Sequence, residues 1–190
     1  MNVAIFVEGT TELEFVATLI AALCGRRDIS YEFREQFGGK LRTVRVVNSP
    51  VATTRVLLVN CHSDEQVKTR VRDSYPSLVA AGYNYVIGLR DVYPRAPTDL
   101  PRIQASLQLG LPLGAVPVVM HLAIMEVESW FLDELTHFPR IDPLLTAPYL
   151  LAAGFDVENT LGQDWGHPSE TLDNIYRLAG KRYRKKLAHI

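Results

Sequence analysis

Val3-Ala4-Ile5-Phe6-Val7-Glu8-Gly9-Thr10-Thr11-Glu12 is the stretch whose reading sets the fold. An unbroken apolar run containing Val3, Ile5 and Val7 predicts a buried strand. The run stops at the carboxylate of Glu8, and Gly9 then lets the chain turn. Thr11 and Glu14 have the S/T-x-x-E spacing of a capping box, which predicts a helix from Thr11 to Cys24. Glu8 thus falls where a strand ends and a turn begins. In open α/β sheets that rim, outside the carboxyl ends of the strands, is where ligands bind.

Further along, the pattern repeats. Leu13, Val16, Ile20 and Leu23 recur at helical spacing. Segments 30–37 and 41–47 flank Gly38-Gly39 and predict a hairpin with a basic outer face from Arg42 and Arg45. The simpler reading of that face is a solvated edge strand protected by charge. Segment 55–60 predicts another apolar strand, and Ser63 with Gln66 a second capping box for a helix running to Ala81. A strand over 83–89 ends in Arg90-Asp91-Val92-Tyr93-Pro94, and Pro94 forbids its continuation as a central strand. A helix over 98–109, a strand over 115–122 and the opening turns of a helix over 125–132 follow. Pro139, Pro143 and Pro148 break 136–164 into short helices and loops before a last helix over 169–178. Strands alternating with helices argue for an α/β chain of βαβ units with a mainly parallel sheet. A single domain over 1–190 is expected, with 136–190 as a small helical extension.

Bulk properties narrow the function. The chain has 190 residues, 47% hydrophobic content and a formal net charge of −1, so its overall field selects neither nucleic acid nor membrane. Cys24 and Cys61 form no C-x-x-C and suit a reduced compartment. No apolar run approaches a membrane span and no cleavable leader is visible, so a cytoplasmic location is expected. Phosphate-cradling loops and nucleophile elbows lack their G-x-x-x-x-G-K-[ST], G-x-G-x-x-G and G-x-S-x-G signatures.

Acids are what recur at strand ends. Glu8 closes the first strand, Asp91 closes a later one, and Glu126 and Glu128 lie just past the last. In a parallel sheet these ends point one way, and clustered carboxylates call for a neutralising cation. Oxygen ligands select a hard ion, Mg²⁺ or Mn²⁺, over zinc. Each acid also has a plain structural alternative as a capping or loop residue. Glu126 and Glu128, two apart on a predicted helix, do not share one face. The tail Lys181-Arg182-Tyr183-Arg184-Lys185-Lys186 has two readings, helix-end cations on the dipole or a phosphate-backbone contact.

With these residues in hand, the chain resembles the Toprim-like superfamily. More closely it resembles small bacterial proteins of the DUF4276 type, related to the nuclease half of OLD-family proteins. The likeness is carried by Val7-Glu8-Gly9-Thr10-Thr11-Glu12, by Leu89-Arg90-Asp91-Val92-Tyr93, by Glu126-Val127-Glu128-Ser129-Trp130, and by Pro168-Ser169 with Tyr183 and Lys185. The resemblance implies a Rossmann-like, Toprim-type sheet flanked by helices, with Mg²⁺ and phosphodiester chemistry. Tyr93 stands where the second aspartate of Asp-x-Asp would be, leaving Glu128 or Glu126 to supply the missing oxygen.

The expectation is therefore a metal-dependent nuclease or nuclease-like effector of anti-phage defence. Glu8, Asp91 and Glu128 hold the metal, and Glu126 is a further ligand or base. Lys185 contacts phosphate, and Lys181, Arg182, Arg184 and Lys185 contact DNA or RNA. A partner ATPase is implied, and the oligomeric state is left open. The alternatives are a non-catalytic nucleic-acid or partner-binding module with a degenerate site, and an enzyme acting on a phosphorylated small molecule.

Overall fold

A computed structural model of the chain describes residues 1–24, 28–92, 99–123 and 126–184. The apolar runs form strands β1 (Asn2–Val7), β2 (Ile29–Phe37), β3 (Lys40–Val47), β4 (Thr54–Asn60), β5 (Tyr85–Asp91) and β6 (Val118–Ala123). Between and after them come helices α1 (Thr10–Cys24), α2 (Asp64–Ala80), α3 (Leu100–Gln108), α4 (Glu128–Asp133), α5 (His137–Ile141), α6 (Ala147–Ala152) and α7 (Pro168–Leu178). The fold is α/β. The chain divides into two compact units, Met1–Asp91 with Thr98–Leu122, and Val92–Pro97 with Ala123–Ile190.

The first unit is organised on a six-stranded sheet of order β3-β2-β4-β1-β5-β6. Central β1, buried from Val3 to Val7, is parallel to both neighbours, with Val7 opposite Asn60 and Phe6 opposite Gly88. β2 is parallel to β4, and only the hairpin strand β3 is antiparallel to its partner. Backbone bonds from Val86 to Pro117 and from Val92 to Ala123 keep one offset, so β6 also runs parallel to β5. Continuous apolar runs are what such a sheet requires, because helices cover both of its faces. α1 takes one face, where the Tyr31 hydroxyl reaches the Ala17 carbonyl. α2 takes the other, where Arg70 donates to Gln36, and α3 lies beside α2 through Lys68 and the Ser106 carbonyl.

Two local expectations are corrected. α1 begins at Thr10, with the Gly9 carbonyl accepting the Leu13 N–H at 3.1 Å. Thr11 is buried inside the first turn, and Glu14 pairs with Arg45 at 2.7 Å instead of closing a capping box. Ser63 does precede α2, but its side chain makes no cap bond; its carbonyl accepts the Gln66 N–H at 3.1 Å. The hairpin turns through Gly38 and Gly39, both at positive φ (52° and 80°), which suits residues lacking a Cβ.

The second unit packs α4 to α7 around Phe131, Leu132, Phe138, Leu150, Leu172 and Tyr176. The short helices between 136 and 164 and the last helix lie where the prolines predicted them. Gly162, in a 3-10 turn over Gly162–Asp164, presses on α4: its N–H bonds Asp133 at 2.6 Å, and a Cβ there would lie 1.9 Å from the Ser129 carbonyl oxygen. Among the described residues no helix is long and apolar enough to cross a membrane.

Candidate functional site

In the first unit the predicted acids fall on one rim. Glu8 lies two residues past Phe6 and Asp91 three past Gly88, and Phe6 and Gly88 are partners across β1 and β5. Both acids therefore leave neighbouring parallel strands at the carboxyl end, and both are half-buried. Next along the rim, β4 ends at Asn60, which is 1% exposed. Its side-chain Nδ2 donates to Thr10 Oγ1 at 3.3 Å, and its side-chain Oδ1 accepts the His62 N–H at 2.9 Å. That turn holds His62 at a φ of 62°, a left-handed conformation uncommon for a non-glycine residue and one that clusters at functional sites.

Glu12 joins this rim although the sequence reading gave it no role of its own. It is 5% exposed, and its Oε2 lies 2.8 Å from where a Cβ on Gly9 would stand. Gly9 is what leaves room for this carboxylate at the helix N-terminus, where a negative charge is favoured by the dipole. The signal was present: Glu12 stands four residues before buried Val16, on the same helical face.

Cations stand close to the rim as well. Burial lowers the pKa of Lys68, and repulsion from Arg72 and Arg90 lowers it further. Arg90 immediately precedes Asp91. Lys68 is itself engaged by the Ser106 carbonyl on α3, at 2.7 Å, so the rim's own chemistry is that of its carboxylates, which can take a hard cation.

The second unit holds the other two predicted acids, each tied to a residue of the C-terminal motif. Both oxygens of Glu126 meet Ser169, one accepting its N–H at 3.0 Å and the other its hydroxyl at 3.2 Å. Ser169 lies in the first turn of α7, so Glu126 caps that helix from another segment. Glu128 is fully buried and accepts the Tyr183 hydroxyl at 3.0 Å. Behind them, His137 Nε2 and the buried Tyr176 hydroxyl are 3.0 Å apart, and burial pushes the Tyr176 phenol above its ordinary range.

The basic tail is partly engaged inside this unit. Lys181 pairs with Asp142 at 3.0 Å and also donates to the Ile141 carbonyl. Arg182 pairs with Asp173 at 3.3 Å, and Arg184 is exposed. Tyr93 and Lys185 lie outside the described residues. A groove of about 510 Å³ runs along α7, lined by Ser169, Glu170, Asp173, Asn174, Arg177 and Tyr183.

Among the described residues no group of three or more His, Cys, Asp or Glu side chains is poised to hold a metal ion. The acids that the first unit brings to its rim offer oxygens, which suit Mg²⁺ or Mn²⁺ better than zinc. Mg²⁺ is commonly held by one or two carboxylates with water and substrate phosphate completing its shell, so Glu8 and Asp91 are a chemically adequate pair. No protein-family model matches the chain, and no curated protein or solved structure matches it either.

Proposed function

We propose that the chain is a Mg²⁺- or Mn²⁺-dependent nuclease, with Glu8 and Asp91 as the cation's protein ligands. The observation that carries this reading is their placement at the carboxyl ends of neighbouring parallel strands. A hard cation held by two carboxylates suits a phosphate substrate, whose oxygens can complete its shell. When bound, the cation would offset charge on the scissile phosphate and lower the pKa of a water. The chain's own residues position that chemistry: Glu8 and Asp91 supply the hard oxygens that fix the cation at the rim. The Toprim-like resemblance, and with it a role in bacterial anti-phage defence beside an ATPase, belongs to this proposal on the motifs alone.

The test is cleavage of DNA and RNA by the purified chain under Mg²⁺ or Mn²⁺. Glu8→Gln and Asp91→Asn are each expected to lower the rate by roughly 10²-fold or more. Cleavage unchanged in the double variant would sink the assignment.

One observation favours a second reading. Tyr93 takes the place of the second aspartate of Asp-x-Asp. A non-catalytic nucleic-acid-binding module fits that pattern. Calorimetry with Mn²⁺ separates the two, since oligonucleotide binding without any heat from millimolar metal selects the module.

A further inference from the structure

The predicted nucleic-acid contacts lay in the tail, but Lys181 and Arg182 are matched there by Asp142 and Asp173. The β2–β3 hairpin differs. β3 is the outer strand of the sheet and pairs only with β2, so one row of its N–H and C=O groups meets no other strand. Phe33 pairs with Arg45 and Arg34 with Thr43, which leaves Val44 inserted as a bulge. Side chains alternate between faces along a strand. Without the insertion Arg45 would point away from Lys40 and Arg42. With it, all three cations share one face, opposite Phe33, Glu35 and Phe37.

The ring contacts agree with that placement. The Arg45 guanidinium lies 3.6 Å from the Phe33 ring centroid, and Arg42 lies 5.9 Å from that of Phe37. Each cation is two ladder positions, about 7 Å, from the next. That step is close to the one between successive phosphates of an extended nucleic-acid strand. Glu14 offsets Arg45 and Glu35 stands opposite Arg42, yet neither Lys40 nor Arg42 is in an ion pair among the described residues. Phe37, 46% exposed beside the turn, offers a ring on which a base can stack.

We infer that the face of β3 shared with Phe33 and Phe37, on the α1 side of the sheet, is a binding track for single-stranded nucleic acid, with Lys40, Arg42 and Arg45 on successive phosphates and Phe37 under a base. Outward N–H groups of the edge strand add phosphate donors. This rests on the nucleic-acid reading above and locates it. A second copy paired on the same edge would bring like cations together, which disfavours that occupant.

The experiment is fluorescence anisotropy of labelled single-stranded DNA and RNA in EDTA, where cleavage cannot interfere. It compares the wild-type chain with Lys40→Ala/Arg42→Ala/Arg45→Ala and with Lys181→Ala/Arg182→Ala. The hairpin variant is expected to bind roughly tenfold or more weakly, with the log-log salt slope reduced by about 2, while the tail variant changes little. Lys40→Arg/Arg42→Lys, which keeps the charges, should restore binding. Wild-type binding that the hairpin variant retains overturns the inference and leaves the nucleic-acid reading standing. Failure of the wild type to bind any single strand overturns the inference, while cleavage under Mg²⁺ or Mn²⁺ decides the nuclease reading separately. A β3-dependent dimer in sedimentation, with oligonucleotide binding unchanged by the hairpin variant, assigns the edge to a second copy and overturns the inference.

Discussion

Tyr183 reaches back across 55 residues to donate its hydroxyl to Glu128 at 3.0 Å, and Glu128 is fully buried. A hydrogen bond to a buried carboxyl group contributes more than one at the surface, because its loss strands polar atoms away from water. Tyr183→Phe should therefore destabilise the second unit by about 1–2 kcal/mol. Glu128→Ala should cost more than Glu128→Gln, which keeps an acceptor. Urea denaturation of the three variants gives the order, and equal losses for Gln and Ala would show that the bond contributes nothing.

Gly162 tests the close approach of the 3-10 turn to α4. A Cβ would lie 1.9 Å from the Ser129 carbonyl oxygen and 2.7 Å from its carbon. Backbone cannot swing aside as a side-chain tip can, so Gly162→Ala should cost roughly 2–3 kcal/mol. Gly9→Ala meets only the flexible end of Glu12 and should cost much less. Thermal melts that rank Gly9→Ala as the worse variant would contradict this packing.

The two thiols should separate cleanly. Cys24 is exposed and Cys61 is 1% exposed. Burial pushes the Cys61 thiol up to about 12, against a smaller opposing pull from Arg70. At pH 8 an aromatic disulfide reagent should modify Cys24 promptly and Cys61 only on unfolding, since the thiolate is the reactive form. Two fast thiols in native protein would show that Cys61 is accessible.

Asp173 should govern how the C-terminal segment responds to acid. Partial burial pushes its pKa up, but hydrogen bonds from Arg177 and the Tyr183 N–H, with the charges of Arg177 and Arg182, outweigh this and hold it below 3.8. A depressed folded pKa contributes stability above the unfolded value and loses it as pH falls through the folded one. Protection of the Tyr183 amide should be flat from neutrality to about pH 4 and fall only below that. Exchange measured against Asp173→Asn, which should lack the step, checks it; a loss of protection beginning near neutrality would refute it.

Much of this architecture was legible because local chemistry marks it. The run from Val3 to Val7 could only be a covered strand, Gly38-Gly39 could only be a turn, and the prolines after 136 permitted only short helices. Capping was misread at Thr11 because S/T-x-x-E records spacing and not partners. Glu14 found a stronger one in Arg45, which lies on a distant strand. Ser169 and Tyr183 could be named as motif residues, but nothing in their spacing shows that they meet Glu126 and Glu128.

The sequence by itself determined which segments are strands and helices, that acids close β1 and β5, and that only oxygen donors recur at strand ends, since these follow from residue type and short-range period. Tertiary structure alone decided that β1 and β5 are neighbours, that Glu12 is buried beneath Gly9, and that a single inserted Val44 turns Arg45 to the side of Lys40 and Arg42. Strand order and bulges are settled by which apolar faces bury together over long loops, an energy summed across the whole sheet that no local window of residues contains.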